Sequence, residues 1–242
     1  MPTSLCFDFG NTRQKCAVFV NHQLQEVIVL PNLLNSTIDG LLQQYQPEES
    51  ILSSVMVHPT EINELLAQKT KFHLLSHASK LPFATPVGKP ETIGADRLAL
   101  CAAASHLYPQ HHCLIIGLGT CITYNFLNVF AEFLGGSISP GMHMRFKAMH
   151  EQTALLPLVK AEHDFPLVGY DTKTNLQSGV LLGMAKEIDG MIDAYKEKYN
   201  NLKVLITGGD MQFFMHHVRN EVHADLNLLF VGLYAIGRAN FG

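Results

Sequence analysis

Asp8-Phe9-Gly10-Asn11-Thr12 puts a carboxylate at the end of an apolar run, beside a glycine and two small hydrogen-bonding side chains. Those residue types suit phosphate chemistry. Asp8 can hold Mg2+ through water, Gly10 lets backbone N–H groups approach phosphate oxygens, and Asn11 and Thr12 can donate to them. The same residues also suit an ordinary hairpin turn. Gly117-Leu118-Gly119-Thr120 and Thr207-Gly208-Gly209-Asp210 are two more small-residue loops, each directly after an apolar run. Three such loops point to a nucleotide held between two lobes. Gly94-Ala95-Asp96-Arg97 stands where a Pro-rich stretch meets a helix. A carboxylate and a guanidinium there suit a general base and a fork for a substrate carboxylate. They equally suit a helix cap, with Arg97 pairing a surface acid.

Other chemistries fail on spacing. There is no GxxxxGK[ST], and the Gly117-x-Gly119 pair meets Ile122 where a dinucleotide fingerprint needs a third glycine. The thirteen histidines form no HxH or HExxH. The adjacent pairs His111-His112 and His216-His217 are expected to point apart, so no structural zinc site is expected. Five cysteines, an odd number without CxxC, lie among apolar neighbours and read as buried thiols in a reducing cytosol. A formal charge of −4 gives no general attraction for nucleic acid or anionic membranes. No apolar run approaches the ~18 residues of a membrane span, and Met1-Pro2-Thr3-Ser4 has no signal-type character. A cytoplasmic protein without nucleic-acid or membrane partners is expected. With 47% hydrophobic and 16% charged residues in 242, the chain can bury a large core.

The elements that must position these loops follow from periodicity. Leu5–Val20 reads strand, turn, strand, and Glu26–Leu30 a third strand. Leu33–Gln44 is helical and Ser50–Val57 β-rich. Thr60–Gln68 is helical with Thr60 as its cap, and Pro82–Pro90 is loose. Asp96–Leu107 is a good helix former. The opening pattern then returns: His112–Ile116, a small-residue turn, and β-rich Cys121–Val129, with Gly117 falling on Asp8 and Thr120 on Asn11. This echo suggests two similarly built halves. Asn175–Tyr195 is the clearest helix. Its apolar stripe, from Leu176 to Tyr195, is expected to serve the core or a subunit interface. Lys203–Ile206 reads as the last strand.

With these motifs in order, the chain resembles the type III pantothenate kinases, of the superfamily of sugar kinases, acetate kinase and actin-like ATPases. The motifs carrying the resemblance are Asp8–Thr12, Gly94–Arg97, Gly119-Thr120, Gly135-Gly136-Ser137-Ile138-Ser139-Pro140-Gly141 and Thr207–Asp210. It implies an α/β fold of two ribonuclease-H-like lobes with mixed sheets, residues 1–110 and 111–242, with a nucleotide cleft between them. It also implies a homodimer that transfers phosphate from ATP to pantothenate, the first step of coenzyme A synthesis. Bvg accessory factor-like members of this fold keep open a second reading, a non-catalytic nucleotide-binding regulator.

Carried over by resemblance, Asp8, Phe9, Gly10, Asn11, Thr12, Arg13, Gln14 and Lys15 would form the first phosphate loop, with Asp8 facing Mg2+ through water. Thr120 would hold phosphate, and Gly208 and Gly209 would lie near the adenosine. Asp96 would be the catalytic base, while Gly94, Ala95 and Arg97 would grip pantothenate. Thr172 would reach the partner subunit's pantothenate. Three positions depart from the family pattern. Gly117 replaces an aspartate that binds K+ or NH4+, Val87 replaces a tyrosine that contacts pantothenate, and Asn125 stands where another acid is frequent.

Overall fold

In the computed structural model, which describes residues 2–86 and 88–241, β1 (Thr3–Phe9) and β2 (Gln14–Val20) form the opening hairpin, with Asp8 opposite Lys15. β3 (Gln23–Val29) pairs antiparallel with β2. On the other side β4 (Glu49–Ser54) runs parallel to β1, and β5 (Lys71–Leu74) parallel to β4. Parallel neighbours need a crossover, which α1 (Asn35–Tyr45) and α2 (Thr60–Lys69) supply. Thr60 does not cap α2 as expected. Pro59 holds the cap position with φ −59°, and Thr60 is already helical, one residue too late for its hydroxyl to reach back.

The second sheet contains β6 (Cys113–Leu118), β7 (Cys121–Leu127), β8 (Phe133–Pro140), β9 (Lys203–Thr207) and β10 (His223–Ala224). Its order read from one edge, β8-β7-β6-β9-β10, repeats the order β3-β2-β1-β4-β5 of the first. Both centre on an antiparallel hairpin flanked by a parallel strand. The echo between the two turns is therefore a repeat of topology. β9 is not the last strand, since the short β10 pairs parallel to it.

The chain divides into two units. The first comprises Met1–Gln110, Phe130–Leu134 and Asn227–Gly242, and the second His111–Val129 and Gly135–Leu226. In the first, one face of the sheet (Leu5, Phe7, Phe9, Cys16, Val18, Leu52) packs on Ile38, Leu41 and Leu42 of α1 and Ile62 and Leu66 of α2. The other face meets α3 (Ala95–Leu107) and a C-terminal helix, Leu228–Phe241.

In the second unit, Leu114, Ile116, Ile122, Tyr124, Val204 and Ile206 pack against a long helical run. That run comprises α5 (Thr172–Gln177), a π-helical turn (Ser178–Leu182) and α6 (Gly183–Lys198). It is longer than the periodic stretch Asn175–Tyr195 because Asp171 starts it with a capping box to Thr174. Its apolar stripe is taken up by the core of its own unit: Leu176, Val180, Leu181, Met184, Ile188 and Ile192 are all buried. Met191 and Tyr195 of the same stripe stay half-buried. Two further helices, α4 (Met142–Glu151) and α7 (Met211–Phe214), flank the loops described below, and the C-terminal helix is α8. Among the described residues no helix is long and apolar enough to cross a membrane.

Candidate active site

Asp8 is the second-last residue of β1, on the face opposite Phe7 and Phe9, and Asp96 is the second residue of α3, which covers that face. The fold thereby brings together two carboxylates that are far apart in sequence. Burial raises the Asp8 carboxyl to about 7; the Asp96 carboxylate adds to the rise and the Lys15 ammonium opposes it. Burial also raises Asp96, opposed by the backbone N–H and guanidinium of Arg97 and its own backbone N–H. Asp96 does not occupy the cap position, which belongs to Gly94. Its carboxylate folds back over Gly94 so closely that a Cβ there would lie 2.5 Å from Oδ1. The glycine of this motif makes room for the acid two residues on. Arg97 lays its guanidinium 5.4 Å from the centroid of the Phe133 ring.

The β1–β2 turn is closed by the Gly10 N–H donating to the Arg13 carbonyl at 3.2 Å. Gln14 braces it, its Nε2 donating to the Gly10 carbonyl at 3.0 Å. Asn11, Thr12 and Arg13 are exposed at the tip, and Lys15 lies half-buried opposite Asp8. Phe9 is wholly buried in the core, edge-on to His58 at 5.3 Å, so only its backbone belongs to the loop. Ala95 opens α3 beside Asp96. Val87 lies outside the described residues.

In the second unit the Gly117–Thr120 and Thr207–Asp210 loops are locked together. The Asp210 N–H donates to the Leu118 carbonyl at 3.1 Å, and the Gly141 N–H, just before α4, donates to the Thr120 carbonyl at 3.1 Å. Gly208 adopts φ +105° with a would-be Cβ 2.1 Å from the Leu118 oxygen, so only glycine fits. Gly117 sits centrally, paired with Thr123 and Thr207. Thr120 and Gly209 are exposed. Asn125 is a buried bridge, its Nδ2 donating to the Ile115 carbonyl at 3.2 Å and to Thr123 Oγ1 at 3.3 Å.

Sequence reading missed several supports of this half. Arg145 on α4 binds Glu187 in a tight ion pair and donates to Ser139 Oγ at 2.9 Å and the Pro140 carbonyl at 2.8 Å. Tyr124 donates to Glu187 at 3.2 Å. Together they fix the end of the Gly135–Gly141 motif. The one-letter signal was an Arg four residues after the motif glycine, visible only once α4 is known to start there. Beside Gly209 lies a pocket of about 630 Å3 lined by His163, Gln212, Phe213, Met215 and His216. The His163 and Phe213 rings stack at 4.4 Å. His216 and His217 do not point apart as expected. Past the end of α7 both turn toward His163, at 5.6 and 6.1 Å. Thr172 is the exposed first residue of α5.

Comparison with known proteins identifies the family. A family model described as type III pantothenate kinase matches residues 4–194. The type III pantothenate kinase of Flavobacterium johnsoniae is 35% identical over 232 residues, covering 95% of each chain. That of Bacteroides fragilis is 38% identical over 245 residues, covering 99% of each. Among solved structures, a Baf-family protein from Campylobacter jejuni aligns with TM-score 0.60 at 21% identity, covering 98% of each chain. A glucokinase from an Antarctic psychrotroph aligns at 0.53 with 12% identity, covering 98% of this chain and 99% of its own. At those identities the two structures show a shared α/β fold. Family model and relatives together show that this chain belongs to the type III pantothenate kinase family.

Proposed function

We propose that Asp96 is the general base and Asp8 the metal-facing carboxylate of an ATP-dependent pantothenate kinase. The reaction is that of the family, transfer of phosphate from ATP to pantothenate in coenzyme A synthesis. The observation that carries the residue assignment is the half-buried Asp8–Asp96 pair, in which desolvation raises both carboxyls, Asp8 to about 7. Raising the Asp96 carboxyl makes it a stronger proton acceptor than a solvated aspartate, as a general base for a hydroxyl requires. A regulator that only binds nucleotide has no use for such a group.

Among the described residues no three His, Cys, Asp or Glu side chains converge to hold a metal by themselves. Mg2+ is commonly held by one or two carboxylates completed by waters and substrate phosphates, and the Asp8–Asp96 pair fits that need. When bound, Mg2+ would neutralise charge on the transferring phosphate. Asp8 would face it through water. Asn11, Thr12 and Arg13 offer donors at an exposed tip, Lys15 adds a positive charge beside Asp8, and Gln14 holds the turn in shape. Thr120 serves the phosphates and Gly208-Gly209 the adenosine. Arg97, Gly94 and Ala95 bind pantothenate at the head of α3, where Asp96 takes the hydroxyl proton on its carboxylate. Thr172 contributes to the partner subunit's substrate site in a cytoplasmic homodimer.

Asp96→Asn tests the assignment. Phosphorylation, read by coupled ADP release with and without pantothenate, is expected to fall by about 10²–10⁴. Nucleotide-induced thermal stabilisation is expected to persist. Near-normal turnover would remove Asp96 from the chemistry.

At Gly117 a K+ or NH4+ ion would meet a backbone carbonyl in place of the family's carboxylate. Weak K+ activation is expected when turnover is followed against K+ at constant ionic strength, and Gly117→Asp is expected to sharpen it. Steep, saturable activation of the unmodified enzyme would overturn this expectation.

A further inference from the structure

β4 carries three serines in its six residues, and two of them are spoken for. Ser50 Oγ lies 2.6 Å from Thr70 Oγ1, and Ser54 Oγ donates to the Met56 carbonyl at 2.8 Å and meets His58 Nδ1 at 3.0 Å. Ser53 is different. Its side chain is 0% exposed, and its Oγ is one of the buried side-chain atoms without a hydrogen-bond partner. Leaving a buried hydroxyl unpaired is destabilising, and an apolar side chain of similar size would avoid that cost.

The register gives the hydroxyl a purpose. Across the parallel β1–β4 pair Asp8 is the direct partner of Ser53. Directly paired residues project from the same face of a sheet. It is not the face of Leu5, Phe7, Phe9 and Leu52, which packs on α1 and α2. It is the face on which Ile51, two residues before Ser53, contacts the helix bearing Gly237. The same side of the sheet is covered by α3, whose first turn carries Asp96. The one unpaired hydroxyl of β4 thus borders the carboxylate pair.

We propose that Ser53 is a positioning residue of the kinase site, its hydroxyl aligning the Asp8 carboxylate and the water shell through which Asp8 faces Mg2+. It touches neither the transferred phosphate nor the pantothenate hydroxyl; it acts through Asp8. The inference rests on the assignment of Asp8 to the metal made above.

Ser53→Ala separates this role from a packing defect, because the two predict opposite pairings of stability and function. A mere defect would be relieved by alanine, with function intact. A positioning role predicts a metal-free Tm equal to or above that of the wild type. It also predicts that the Mg2+ concentration giving half-maximal thermal stabilisation in the presence of ADP rises about tenfold, with kcat down about tenfold. The KM for pantothenate should stay within about twofold. An unchanged Mg2+ response and unchanged kcat would overturn the proposal. If alanine disturbs folding, Ser53→Thr and Ser53→Val decide, since they add nearly the same volume and only threonine keeps a hydroxyl. A Mg2+ response several-fold weaker in the valine variant supports the role, and equal responses refute it. Should the wild-type protein fail to phosphorylate pantothenate, the functional reading falls while the Mg2+ response still decides the place of Ser53.

Discussion

A half-buried carboxyl raised to about 7 reverses the usual link between acid and stability. Asp8 has a pKa of about 7 in the folded protein against 3.8 for the free side chain. The folded state therefore holds this proton more tightly than the unfolded chain does. Its contribution favours the fold at low pH and turns unfavourable as pH rises through about 7, opposite to a salt-bridged aspartate. Asp8→Asn removes the penalty, so the metal-free variant is expected to be more stable at pH 8 by on the order of 2 kcal/mol. The gain should be several degrees in Tm at pH 8 and nearly absent at pH 4, while kinase activity is lost. Equal Tm for variant and wild type at pH 8 would show that Asp8 ionises without strain. The sequence made Asp8 and Asp96 legible one by one, as a strand-end acid and a helix-start acid. Their proximity and Ser53 were not legible, because both depend on β4 lying parallel to β1 in one register and on which face α3 covers. Ser53 carries a periodic signal only after Asp8 has fixed that face.

Helix α3 places Asp96, and it is held by a crossing in which backbone meets backbone. A Cβ on Gly232 of α8 would stand 1.8 Å from the carbonyl oxygen of Ala99. Neither helix can yield, because Leu98–Ala104 and Leu233 are buried against the sheet. Gly232→Ala is expected to cost about 3 kcal/mol or more through overpacking. At the usual slope for a chain of this size, Tm should fall by roughly 6–12 °C in thermal unfolding. A fall under about 2 °C would mean that α3 and α8 can slide apart. The hairpin echo made the repeated topology legible, since a strand–turn–strand with small residues at the turn is a local pattern. The C-terminal helix left no such trace. Leu228–Phe241 is apolar nearly throughout, so it lacks the one-sided period that marks a surface helix. β5 and β10, four and two residues long, are too short for alternation to register.

For the molecule as a whole, the proposed dimer calls for an exposed apolar surface, and most of the stripe on the long helical run is already packed in the core of its own unit. The segment leading into Thr172 offers such a surface to the proposed dimer, with Leu155, Leu167, Val168 and Tyr170 92%, 76%, 79% and 82% exposed. Exposed apolar side chains of this kind suit association when they lie together in a patch. Light scattering at micromolar concentration is expected to show a dimer. The double substitution Leu167→Asp with Val168→Asp should yield monomers with activity reduced more than about tenfold, since each site would lose Thr172 of its neighbour. Fully active monomers would take Thr172 out of the site. The division of the chain also has a consequence in time. The second unit is complete once residue 226 has been made, whereas the first, begun earlier, still awaits Asn227–Gly242. At about 5–20 residues per second, the unit that starts first waits roughly 7–26 s after Gln110 for the helix that closes it. During synthesis Asp8 and Asp96 therefore lack their α8 backing until Leu228–Phe241 has been made, and a ribosome stalled between residues 135 and 226 would carry an open first sheet, exposed to chaperones and proteases.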